Sequence, residues 1–122
     1  MDYNAKGIIQ FMEWQKQIED EFKRAEQART NNNEGQARVC ARRAAGIAIR
    51  EYLTRKGIRP PSTSAYDLLN LIKDDSLLSL DLRLIAEHLT LRVTEEFKLP
   101  VDADLVTEAH TLCDELLKQI SP

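Results

Sequence analysis

The chain has 122 residues, of which 43% are hydrophobic and 30% charged, with a formal net charge of −3. That suits one globular domain over residues 1–122 with a single sizeable core. No apolar run approaches the roughly 18 residues that span a membrane. The amino-terminal MDYNAKGIIQFMEWQKQ lacks the basic region, clean apolar segment and small-residue cleavage site of a secretory leader. A cytoplasmic protein without membrane association is expected.

Two further bulk features bear on chemistry. Residues 1–60 carry 12 Lys/Arg against 8 Asp/Glu, whereas residues 61–122 carry 5 against 12, so a net +4 half precedes a net −7 half. A basic half attracts phosphate or an acidic partner, unless the halves neutralise each other on packing. Cys40 and Cys113 fall on apolar helical faces without metal-ligand spacing, which favours buried thiols over a disulfide or zinc site. No metal and no cofactor is expected.

From about Tyr3 to Arg29 the pattern is one long amphipathic helix, with Phe11, Ile18, Phe22 and Ala25 on the core side and Met12 and Trp14 at its edges. Glu19, Asp20, Glu21, Lys23, Arg24 and Glu26 are assigned to its solvated side. The polar TNNNEG segment (Thr30 to Gly35) turns the chain, because Asn and Gly tolerate left-handed backbone conformations.

The second helix holds VCARRAAGIAIREYL (Val39 to Leu53). Ala37, Ala41, Ala44, Ala45, Ala48 and Tyr52 share one face, and Cys40, Ile47, Ile49 and Leu53 widen it beyond an ordinary stripe. So broad an apolar surface predicts a central helix with neighbours on several sides. Arg43, Gly46 and Arg50 are left on one narrow strip. A helix stop is expected at Gly57, after Arg55 and Lys56.

Pro60 and Pro61 forbid helix and predict an extended crossing. Ser64 can cap a short third helix from Ala65 to about Lys73, which Asp74, Asp75 and Ser76 end. The fourth helix is expected from Leu77–Leu80 to near Phe97. Its first apolar stripe is Leu78, Leu82, Ile85, Leu89 and Val93; a second lies about 120° away at Leu77, Leu80, Leu84, His88 and Leu91. The second stripe faces either another helix of the same domain or a second copy of the chain. After Lys98 to Asp102 (KLPVD), Asp102 or Asp104 can cap a last helix to about Gln119, with Leu105, Ala109, Leu112, Leu116 and Ile120 in register. The sum is an all-α, up-and-down bundle of about five helices.

The pattern GQARVCARRAAGIAIREYLTRKG (Gly35–Gly57), then SAYDLLNLI (Ser64–Ile72), then LRLIAEHL through LPVDADLVTEAHTLCDELL (Leu82–Leu117) resembles a HEPN domain over roughly residues 10–120. Where many HEPN members have an acidic residue and then a lysine in the second helix, this chain has Gly46 and Arg50. It has Ser64-Ala65-Tyr66-Asp67 where many place a histidine. The resemblance implies a homodimeric helical bundle and a nucleotidyltransferase-type protein partner, with a nucleotide as a possible ligand. Its dimer surface here would be Leu77, Leu80, Leu84, His88 and Leu91. In the ribonuclease branch of the family, metal-independent toxins of toxin-antitoxin pairs, four to six residues separate an Arg from a following His; Arg83-Leu-Ile-Ala-Glu-His88, with four between, meets that spacing.

For metal-free RNA cleavage His88 would move a proton while Arg83 stabilises charge on the phosphate. Five positions on a regular helix, however, set the two about 140° apart. Arg43 and Arg50, two turns apart beside Gly46, are the candidate phosphate or nucleotide ligands, against the alternative of a solvated edge. His110 is expected to be an ordinary surface histidine. The leading expectation is thus a non-catalytic HEPN-like interaction module, and the rival an RNA-cleaving toxin using Arg83 and His88.

Overall fold

The computed structural model describes the backbone of residues 2–91 and 103–120, and the side chains of residues 13–91 and 103–119. The fold is an all-α helical bundle. Among the described residues the elements are α1 (Asp2–Thr30), α2 (Glu34–Arg55), α3 (Ala65–Lys73), α4 (Leu80–Thr90) and α5 (Leu105–Ile120). None of the described helices is long and apolar enough to cross a membrane. Phe11 and Met12 lie outside the described side chains, and Val93 and 97–102 outside the described residues altogether.

The alanine-rich face makes α2 the centre. It packs against α1, α3 and α5, while α4 bridges α3 and α5. Ala37, Ala41, Ala44, Ala45 and Ala48 are all fully buried, together with Ile49 and Tyr52. Methyl side chains keep neighbouring helix axes close, so the larger residues needed to fill the core come from the flanking helices. Ile18 and Phe22 of α1, Leu68, Leu69 and Ile72 of α3, Leu82 and Leu89 of α4, and Leu105, Leu112 and Leu116 of α5 supply them. Each such side chain removed from water contributes about 1.5–3 kcal/mol.

Local chemistry sets the boundaries. Asn32 takes a left-handed φ of 60°, and the Asn33 side chain accepts a hydrogen bond from Gln36 N at 3.1 Å, starting α2 after a turn of three residues. Gly57, at φ 78°, ends α2 in the conformation a side chain resists, and Ile58 N then donates to Leu53 O at 2.9 Å. Ser64 caps α3 by accepting from Asp67 N, Ser79 caps α4 by accepting from Leu82 N, and Asp104 caps α5 by accepting from Thr107 N. Asp75 closes the turn after α3 by accepting from Leu77 N. Asp102 lies outside the described residues.

Three expectations are corrected. The fourth helix ends at Thr90 rather than near Phe97: Leu91 is extended (φ −67°, ψ 142°). Arg42 of α2 donates to Leu89 O and Leu91 O at 2.7 and 2.9 Å, so a side chain from another helix takes carbonyls that a longer α4 would have bonded internally. Trp14 is buried rather than at an edge. Glu21, assigned to the solvated side, is buried and paired with Arg24 one turn on.

Candidate functional site

The candidate residues concentrate on α4 and on the outer strip of α2. Along α4, Leu82, Ile85, Ala86 and Leu89 face the core, together with Leu78 just before it. The opposite side is apolar too, and open. Leu77 is 81% exposed, Leu80 73% and Leu84 50%. This ridge borders a shallow groove of about 310 Å³ between α3 and α4, where Lys73, Asp74, Arg83 and Glu87 surround Leu80 and Leu84. Arg83 Nε is shielded from solvent there without an acceptor among the described residues.

The second stripe is not uniform. His88, read from the sequence as continuing the leucine seam, turns towards α5, where its Nδ1 lies 2.8 Å from Glu108 Oε1 and 3.1 Å from Oε2. His88 and Leu91 are both partly buried. The lower half of the stripe therefore makes a contact within the chain, and the exposed seam is confined to Leu77, Leu80 and Leu84. Arg83 and His88 are not brought together. Arg83 lines the α3–α4 groove, while His88 pairs with a carboxylate on α5.

Arg43 and Arg50 are both exposed and, among the described residues, engage in no ion pair. Gly46 between them does not open a space for a phosphate. A Cβ placed there would stand 2.8 Å from Ala65 Cβ and 3.0 Å from Ala65 Cα, so the first turn of α3 already fills the approach. That turn also carries Asp67, whose carboxylate accepts from Ser62 Oγ at 2.8 Å and occupies the end of α3 that favours an anion. Only the outward guanidinium groups of Arg43 and Arg50 remain as phosphate ligands.

Several residues that shape these surfaces have no signal in the sequence. Arg42 is the α4 clamp, and burial, with the charge of Arg38 nearby, pushes its pKa down. Glu108 becomes the partner of His88 only through the fold. Arg29 donates to Glu34 at 2.6 and 3.0 Å and to Asp104 at 3.0 and 3.4 Å, tying α1, α2 and the start of α5 together. Those bonds raise the Arg29 pKa, lower that of Glu34 and hold Asp104 at about 2. His110 is not an ordinary surface histidine: its ring stacks on Phe22 with centroids 3.5 Å apart and planes 15° from parallel. Cys113, buried on the same helix, has its thiol pKa pushed up to about 12 by burial. Among the described residues no group of three His, Cys, Asp or Glu is placed to hold a metal ion.

Comparison with family models, curated proteins and solved structures returns no match for this chain. The HEPN resemblance therefore rests on the helical pattern of the sequence.

Proposed function

We propose that this chain is a HEPN-like helical interaction module that acts as a homodimer through Leu77, Leu80 and Leu84, and that the dimer serves a nucleotide or a nucleotidyltransferase-type protein. The observation that carries the dimer is the run of three exposed leucines beside a groove holding two cations, Lys73 and Arg83, and two carboxylates, Asp74 and Glu87. A two-fold contact sets a patch against itself, so a patch with an apolar centre and both signs at its edge is self-complementary. Leu84→Asp should run as a monomer in size-exclusion chromatography while the wild type runs as a dimer; an unaltered dimer removes the ridge as the contact. The nucleotide component rests on the resemblance and on the exposed Arg43 and Arg50. A nucleoside triphosphate should raise the melting temperature of the wild type and not of the Arg43→Ala/Arg50→Ala variant.

The ribonuclease reading draws on one observation. Glu108 holds His88 through Nδ1, the arrangement in which a carboxylate orients an imidazole whose other nitrogen moves protons. The divergence of Arg83 from His88 weighs against it. Equal growth and intact RNA in bacteria expressing the wild type or His88→Ala would eliminate this reading; slow growth and cut RNA with the wild type alone would establish it.

A further inference from the structure

The four charged groups around the exposed leucines, Lys73, Asp74, Arg83 and Glu87, form no ion pair among the described residues, although both signs are present. Local sequence explains why they do not pair within the chain. Lys73 and Asp74 are adjacent, and adjacent helical positions point apart. Arg83 and Glu87 stand one turn apart on α4, but with the cation first, the order that favours pairing least.

The helices themselves do not stabilise three of these charges either. Asp74 closes the carboxyl end of α3, Glu87 belongs to the last turn of α4 and Arg83 to its first, and each carries the sign that the helix dipole disfavours there. Arg83 Nε is shielded from solvent without an acceptor among the described residues. A shielded charged donor in that state is costly, and an acceptor from another molecule removes the cost.

The register of α4 places that acceptor in a dimer. Leu80 and Leu84 form the exposed crest, and Arg83 and Glu87 share one flank of it, the flank that borders the groove beside α3. In an antiparallel two-fold contact like flanks meet, and a contact from one residue to a second is repeated from the second to the first. An axis passing beside Leu84, midway between Arg83 and Glu87, sets each arginine against the opposite glutamate.

We infer that Arg83 of one protomer pairs with the partner's Glu87, reciprocally across the two-fold axis, and that this double ion pair selects a second copy of the chain in antiparallel register. The inference rests on the homodimer proposed above and names what gives it specificity. The leucines supply apolar contact that any apolar surface could share; the charges supply register and partner choice.

Sedimentation velocity of the full-length chain, with one partner fluorescently labelled at its amino terminus, tests the pairing. Arg83→Glu and Glu87→Arg should each weaken self-association at least about tenfold, because like charges then face each other across the axis. Mixing the two variants makes both pairs complementary again, and the heterodimer should return to within about threefold of wild-type affinity. Arg83→Gln and Glu87→Gln, which introduce no like charge, give a second reading: the double variant should lose little more than either alone. A wild-type dimer that neither charge reversal weakens, a mixture that associates no more tightly than its components, or strictly additive Gln losses would overturn the reciprocal pair and leave the leucine contact standing. A wild type that stays monomeric would overturn both.

Discussion

Ala65, the first residue of α3, rests directly on Gly46 in the middle of α2. The backbone of one helix meets the first turn of another with no room between them for a methyl group. This contact fixes where the chain resumes helix after Pro60 and Pro61, and so where α3 and the groove beside α4 lie. On propensity alone, Gly46→Ala would stabilise an interior helical position by about 1 kcal/mol. The opposite sign is predicted, because the new Cβ forces α3 to shift: Gly46→Ala should lower the melting temperature. Adding Ala65→Gly should recover part of the loss, the approach of the Ala65 Cα being left in place. Thermal melts of the single and double variants measure both effects.

Arg42 supplies the second long-range constraint. Replacing it by Met keeps much of the aliphatic stem but leaves Leu89 O and Leu91 O without their charged donor. Loss of a charge-assisted pair of this kind costs about 1.5–3 kcal/mol. Arg42→Met should therefore lower the urea midpoint. Amide exchange should accelerate first at the last turn of α4, including Leu91 N, which donates to His88 O. Uniform acceleration across all five helices would contradict a local clamp.

Acid should loosen the junction of α1, α2 and α5. Asp104 is held at about 2, first by the hydrogen bond from Arg29 and then by the amide of Thr107. A carboxylate with a depressed folded-state pKa contributes stability above its unfolded value of roughly 3.9, and that contribution is lost as pH falls towards 2. Glu34, also depressed by Arg29, acts in the same direction. The three side chains are partly exposed, so the contribution is small, about 1 kcal/mol or less for each pair. Arg29→Ala should lower stability at pH 7 and flatten its decline between pH 4 and pH 2. An unchanged acid limb would mean that other carboxylates control it.

Both thiols should be slow to react. Cys40 and Cys113 are buried free cysteines, and burial holds the Cys113 thiol at about 12, so thiolate is scarce at neutral pH. In native buffer a thiol reagent should label neither at an appreciable rate, and in denaturant it should label both. Rapid native labelling of Cys113 would show that the packing around this α5 thiol opens readily.

How far the sequence speaks depends on whether a feature is local or assembled. The central position of α2 is legible because its alanines recur on a 3.6-residue period over a face too broad for one neighbour. The regular register of Leu105, Ala109, Leu112 and Leu116 marks α5 in the same way. The caps at Ser64 and Asp104 and the stop at Gly57 are legible because each satisfies its own helix end within a few residues. The end of α4 is not legible. Its apolar period continues past Leu91, and the residue that takes its carbonyls, Arg42, is 47 positions from Leu89. His88 illustrates the same limit: the helical wheel places it on the leucine stripe, whereas its orientation is decided by Glu108 on another helix. Charge alternation along α1 hides the burial of Glu21, because the pattern carries no information about where α1 is overlaid.

The central claim is that Leu77, Leu80 and Leu84 meet a second copy of the chain. Sedimentation equilibrium of the wild type and of Leu80→Asp/Leu84→Asp tests it most directly, since both positions are exposed and their substitution leaves the core intact. The wild type should approach twice the 14.0 kDa chain mass with rising concentration, and the variant should stay at the single-chain mass throughout. A wild type that remains a monomer, or a variant that dimerises as strongly as the wild type, would contradict it.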